Sequence, residues 1–256
     1  IMIESKHIDK LELQGIKEQR LNVLPAGVAI LIAIFKELDV KEMSYSEGAL
    51  REGALHDLIG RGKHEDVREK TVLNMQSRFV VDTAHALNVR NTALSLYEQV
   101  SIKWKIDEPE YEDWLRWAAD LHEVGLSIAH NQYNKHSAYL IQHCDMPGFS
   151  KPIQETIGLI VKHHRKKAVV SESLELSKRR RKTISRLIIL LRLSILFHQG
   201  RDPDATSVVL PSIIASKFSI ELEFPEGYLK EHPMTVLDLE SEKSILDAAC
   251  YELKFK

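Results

Sequence analysis

The stretch Trp114–Leu126, WLRWAADLHEVGL, decides how the rest of the chain is read. Trp114, Leu115, Trp117, Ala118, Leu121 and Gly125 recur at steps of three and four, the spacing of a helix with one face in a core. His122 lies one turn beyond Ala118 on that apolar face, with Glu123 beside it. An adjacent imidazole and carboxylate on a buried helix supply two ligands for a metal ion. They equally describe a hydrogen-bonded core histidine beside a solvated glutamate.

Working outward, almost everything between Ser46 and Gln199 carries helical periodicity. Helices are predicted near 46–58, 64–78, 82–103, 110–125, 134–143, 152–165 and 181–198. Breaks fall at Gly60 and Gly62, Pro109, Pro147-Gly148 and the polar stretch 168–177. Leu187–Leu196 is apolar nearly all round, which predicts the central helix of a bundle. Before it, Pro25 and Gly27 stand at the head of the run VAILIAIFKEL, predicted as a buried helix. Beyond Arg201-Asp202-Pro203 the pattern turns to alternation. Ser207–Leu210, Lys217–Phe224, Thr235–Leu239 and Tyr251–Phe255 are predicted strands, with a helix near 240–249. The expected fold is therefore mainly α, a helical bundle followed by a small α+β unit.

Composition excludes several classes. The 256 residues are 44% hydrophobic and 28% charged, with a formal net charge of −2. That argues against whole-surface nucleic-acid binding. Cys144 and Cys250 make neither a disulfide framework nor a CxxC metal site, as expected for a reducing cytoplasm. No apolar run reaches bilayer length, so no membrane insertion is expected. The start at Ile1, inside a structured-looking segment, suggests part of a longer polypeptide. Phosphate-loop, GxGxxG, GxSxG and HExxH motifs are absent.

Two features remain. Histidines recur on separate predicted helices: His85, His122, His136 and the pair His163-His164. Such a set can converge on one first-row divalent ion. The order resembles the HD-domain metal phosphohydrolases, with His85, His122, Glu123 and His163 as the candidate ligands. Glu123 stands where that pattern has an aspartate, and a clear downstream aspartate is missing. The second feature is basic. Lys162-His163-His164-Arg165-Lys166-Lys167 and Lys178-Arg179-Arg180-Arg181-Lys182 flank one predicted loop, which would bring both runs together as a phosphate-binding patch. No aromatic residues are interleaved with them, and a solvated face is the competing reading. Ser46–Gly53 reads as a helix start or interdomain joint, and His64 with Asp66 as a capped helix start or ligands.

Taken together, VLPAGVAIL, ALREGAL, RGKHEDVREKT, RWAADLHEVGLSIAH, KHSAYLI, MPGFS, KHHRKK and LLRLSILF resemble, in order, the exopolyphosphatase/guanosine pentaphosphate phosphohydrolase (Ppx/GppA) family. The likeness spans residues 20–256 and is nearest the long exopolyphosphatase form. The resemblance implies a tail of an actin-like phosphatase domain at 1–45, an HD-like helical domain at 46–202 and a small C-terminal domain at 203–256. It implies a parent that releases terminal phosphate from inorganic polyphosphate or guanosine pentaphosphate with magnesium. The catalytic residues belong to actin-like domains outside this chain, so none is assigned here, and no ion is expected on this chain. The carried-over role is dimerisation and polyphosphate binding through Lys162, Arg165, Lys166, Lys167, Lys178, Arg179, Arg180 and Arg181. The alternatives are an HD-type metal phosphohydrolase, and a homodimerisation module without ligand.

Overall fold

The computed structural model describes residues 21–43, 67–168, 176–201 and 209–256. The predicted helix at 46–58, the His64/Asp66 connection and the start of the Ser207–Leu210 segment lie outside them. Two compact units divide the chain, 1–46 and 47–256.

The first unit shows helix α1, Leu24–Glu37, with Pro25 in its first turn. The apolar run forms the predicted helix but does not bury it. None of its side chains is buried, and Ile30, Ile32 and Ile34 are exposed. Periodicity reports a helix and its apolar surface; what covers that surface is a tertiary matter.

Among the described residues of the second unit six long helices follow in order: α2 Val67–Arg78, α3 Thr83–Trp104, α4 Pro109–Leu121, α5 Tyr133–His143, α6 Lys151–His163 and α7 Lys178–Phe197. Local chemistry sets their ends. The Asp82 carboxylate caps α3 by accepting from the His85 amide at 3.0 Å, and Lys105 closes it in the left-handed region. Pro109 and Pro152 stand in the first turns of α4 and α6, where a missing N–H costs nothing. Ser177 caps α7. As its composition predicts, α7 is the centre of the bundle, with every residue from Arg186 to Ser194 buried.

The C-terminal part holds strands β1 Ser212–Ala215, β2 Ser219–Glu223 and β3 Glu252–Phe255, a one-turn helix α8 Tyr228–Glu231, and helix α9 Pro233–Asp247. β2 lies between an antiparallel β1 and a parallel β3, the latter reached by crossing over through α9. Two expected strands are corrected. Thr235–Leu239 is helical, because Pro233 starts a helix that runs unbroken through the predicted 240–249 segment. Among the described residues the first strand begins at Ser212, and Val209 and Leu210 are not in it; Ile213 and Ala215 are the alternating residues that reach the core.

Strands and helices share one core. Ile213, Ile220, Leu222 and Leu253 belong to the same buried cluster as Leu96, Trp104 and Leu187. Polar ties cross the same boundary. The Trp104 indole N–H donates to the Ser216 carbonyl at 2.7 Å, and the Ile213 amide donates to the Gln99 side chain at 2.9 Å. On the other side of α7, Arg192 makes a two-pronged ion pair with Glu242 of α9, at 2.6 and 2.7 Å. Both are buried. That pair also fixes one wall of the cavity described next.

Candidate functional site

The histidine cluster is assembled by helix ends. Helix α4 stops at Leu121, and a short 3-10 turn, Val124–Ser127, follows. Gly125 permits this: a Cβ there would stand 2.3 Å from the Ser137 amide nitrogen and 2.4 Å from the Tyr133 carbonyl oxygen. Helix α5 thus lies directly against the backbone of the turn. Ser137 fastens it, accepting from the Gly125 amide and donating to the His122 carbonyl, both at 2.8 Å. The segments LHEVG and KHSAY are two halves of one joint, and the joint aims His122 and Glu123.

His85, Glu123 and His122 come together there, all buried, with one ligand atom from each within 4.8 Å of the others. The rings of His85 and His122 are 5.8 Å apart. His163 is not in this group; its ring faces its own loop, 3.2 Å from the Lys167 carbonyl. Its neighbour His164 is the inward residue, edge-on to His122 at 5.6 Å and 3.2 Å from the Tyr133 hydroxyl. A helix end turns adjacent residues in different directions, and spacing alone does not say which faces in.

Burial holds these imidazoles neutral. Desolvation pushes His122 down to about 4 and His164 well below the ordinary histidine value, and it lowers His85 as well against the pull of the Glu123 carboxylate. At neutral pH their lone pairs are available. The His122 Nδ1 lies 2.7 Å from the Ala119 carbonyl, which only accepts, so Nδ1 carries the proton and Nε2 the lone pair. That Nε2 is buried without a hydrogen-bond partner, and so is Oε2 of Glu123. The other carboxylate oxygen of Glu123 accepts from Arg201, which also lies 3.6 Å from Asp82. A His-rich set of this kind suits transition metals; the magnesium implied for the parent prefers oxygen ligands and does not fit here.

Glu123 and His164 also line a cavity of about 380 Å³ between the bundle and α9. Its walls carry Arg165, Lys166, Arg192 and Arg201, with Asp238 and Glu242 on the α9 side. Arg165 sits over the Tyr133 ring at 5.1 Å. The Arg192 charge is taken by Glu242. Arg165 and Lys166 are exposed cations beside the neutral His164.

The two basic runs do not meet. Arg180 donates to Thr156 at 2.9 Å, while Arg192, further along the same helix, donates to the His163 carbonyl at 3.1 Å. Helices α6 and α7 therefore run in the same direction. From Thr156 to His163 the helix rises about 10 Å, at about 1.5 Å per residue. Arg165–Lys167 stand at one end of the pair and Lys178–Arg181 at the other. At that other end Arg179 pairs with Glu108 at 2.7 Å, and Arg180 lies over the Trp114 ring. The two runs thus stand apart and do not form the expected single patch. Lys162 and Lys178 are exposed, one at each end.

Comparison with known proteins gives the family. The family model described as "Ppx/GppA phosphatase, domain III" matches residues 67–243, more than half of the chain, and "Ppx/GppA phosphatase family" matches residues 1–61. The chain belongs to the Ppx/GppA phosphatase family. Curated relatives include the guanosine-5'-triphosphate,3'-diphosphate pyrophosphatases of Photobacterium profundum, 32% identical over 94% of this chain, and of Vibrio cholerae, 35% identical over 92%. The match spans 47% of the length of each of these relatives, as expected for the C-terminal portion of such a protein.

In this Ppx/GppA chain the sequence pointed to His85, His122 and Glu123, but not to His164, Tyr133 or Arg201. His164 was visible as half of a pair without a direction. Arg201 stood at a predicted boundary, where an isolated arginine carries no signal. Among the described residues no helix is long and apolar enough to cross a membrane.

Proposed function

We propose that this chain is the substrate-holding half of a Ppx/GppA phosphohydrolase, binding inorganic polyphosphate without hydrolysing it alone and pairing with a second copy of itself. The observation that carries the reading is the cavity wall of Arg165, Lys166 and Arg201 beside the buried, neutral His164. A phosphate chain carries about one charge per unit and presents the same oxygens at every position. Clustered cations with little shape demand are the matching surface. Of the two basic runs, 165–167 is the better phosphate site. Arg179 and Arg180 at the far end already engage Glu108, Thr156 and Trp114. The names of the relatives favour a guanosine polyphosphate as the parent's substrate, and the same cations suit its phosphates.

The test is titration of the purified chain with polyphosphate and with guanosine-5'-triphosphate,3'-diphosphate at several salt concentrations. Affinity for polyphosphate should fall steeply with salt, as counterion release requires for a polyanion. Replacing Arg165 and Lys166 by alanine should flatten that dependence. Absent or salt-insensitive binding would sink the reading. Light scattering on the same samples checks the pairing, with a monomer at working concentration counting against it.

The second reading, an HD-type metal phosphohydrolase, is favoured by the convergence of His85, His122 and Glu123. Phosphate release from polyphosphate by the purified chain, abolished by His122→Ala, would support it.

A further inference from the structure

Two buried acceptors without partners lie at one place, Nε2 of His122 and Oε2 of Glu123. Buried polar atoms are ordinarily paired, because an unmade hydrogen bond in a low-dielectric interior leaves the full cost of desolvation uncompensated. Neither atom can satisfy the other, since both only accept. What answers two acceptors at once is a donor or a cation. A third ligand-bearing residue, His85, reaches the same point.

We infer that His85, His122 and Glu123 bind one divalent transition-metal ion, whose remaining coordination faces the cavity and accepts an oxygen of a phosphate group held by Arg165, Lys166 and Arg201. The phosphate part rests on the reading proposed above; the metal part stands on the three side chains.

Several features fit. Metal–ligand bonds of about 2.0–2.2 Å put neighbouring ligand atoms of a tetrahedral ion about 3.4 Å apart, so the present triangle need only tighten by rotation of the side chains. The Ala119 carbonyl fixes the His122 tautomer so that Nε2 is the ligating atom, the usual arrangement behind a metal-bound histidine. Arg201 holds Oε1 of Glu123, which orients Oε2 and supports it from behind. Three protein ligands leave a position open, and Glu123 is shared by the triad and the cavity wall. An ion of charge +2 beside Arg201, Arg165 and Lys166 leaves a surplus of positive charge, and a phosphate group is the ligand that neutralises it. Two histidines and one carboxylate suit zinc, cobalt, nickel, iron or manganese in preference to magnesium or calcium.

The experiment strips the purified chain with chelator and titrates it with cobalt(II), reading visible absorption and calorimetry, then adds inorganic phosphate. One equivalent should bind, with ligand-field bands that shift when phosphate is added. His85→Ala should weaken binding at least tenfold while circular dichroism stays unchanged. His85 sits at the start of α3, so this variant is the safer test if His122→Ala fails to fold. The phosphate-induced shift should vanish in the Arg165→Ala, Lys166→Ala double variant while cobalt still binds. Cobalt uptake that is absent, or indifferent to His85→Ala and Glu123→Gln, overturns the inference. A chain that binds polyphosphate yet takes up no ion at these residues defeats the metal site and leaves the proposed function standing. A chain that takes up the ion with no response to phosphate overturns the phosphate half of the inference.

Discussion

The two ends of the α6–α7 pair carry nearly the same sequence chemistry and make different surfaces of it. At one end Arg165 and Lys166 border a cavity that also contains His164 and Glu123. At the other, Arg179 is bound to Glu108 and Arg180 to Thr156 beneath Trp114. A run of cations acquires a function from what stands opposite it. With its guanidinium groups engaged by Glu108, Thr156 and Trp114 it is a structural clamp; bordering an open volume beside the neutral His164 it is a place for an anion.

The comparison breaks most severely if its scaffold is removed. Glu242→Leu strands the buried Arg192 charge that lines the cavity, and should cost about 3–5 kcal/mol. Denaturant unfolding measures it, and a loss under about 1 kcal/mol would mean the pair does not organise the wall. Next comes Gly125→Ala, where the added Cβ meets the backbone of α5. A destabilisation of about 3 kcal/mol is expected, together with reduced cobalt uptake through displacement of His122 and Glu123.

Acid tests the cavity end by its histidines. Those buried here ionise below their unfolded value of 6.5, so the stability they provide is complete above pH 6.5. It is lost as pH falls, down to about 4 for His122, at about 1.4 kcal/mol per pH unit per histidine. Asp120 acts oppositely. Burial raises it from 3.8 to about 6, so its contribution is complete below pH 3.8 and is lost as pH rises through about 6. With His122, His164 and His198 against one carboxylate, unfolding free energy should drop between pH 6.5 and 4.5. A flat profile would mean the rings are more solvated than their burial indicates.

The direct contrast is smaller in energy but sharper in meaning. Arg165→Ala with Lys166→Ala should weaken polyphosphate binding about tenfold at low salt, about 1.4 kcal/mol, while Arg179→Ala with Arg180→Ala should change it less than about threefold. Equal losses would dissolve the distinction between the ends. Least of all, Arg179→Ala alone should move stability by no more than about 0.5 kcal/mol, since its ion pair with Glu108 is exposed.

Much of this architecture was legible in advance. Helices α2 to α7 fall within a few residues of their predicted spans, because apolar periodicity and Pro, Ser and Asp punctuation are local signals. Strand 219–223 was legible by alternation, whereas 235–239 was not, since a short mixed segment after proline reads either way. His122 and Glu123 announced themselves by position on an apolar face.

By itself, then, the sequence determined the helical class, the central place of α7, the pair His122-Glu123 and membership of the Ppx/GppA family. The first three are written in spacing along single segments; the family is carried by a resemblance of motifs spread over residues 20–256. Only the tertiary structure decided that His164 faces inward while His163 does not, that Arg201 supports Glu123, that α1 bares its apolar residues, and that the two basic runs stand apart. Those depend on helix direction and on the close contact at Gly125. Contacts between residues tens of positions apart are fixed by packing the whole core, and no local pattern encodes them.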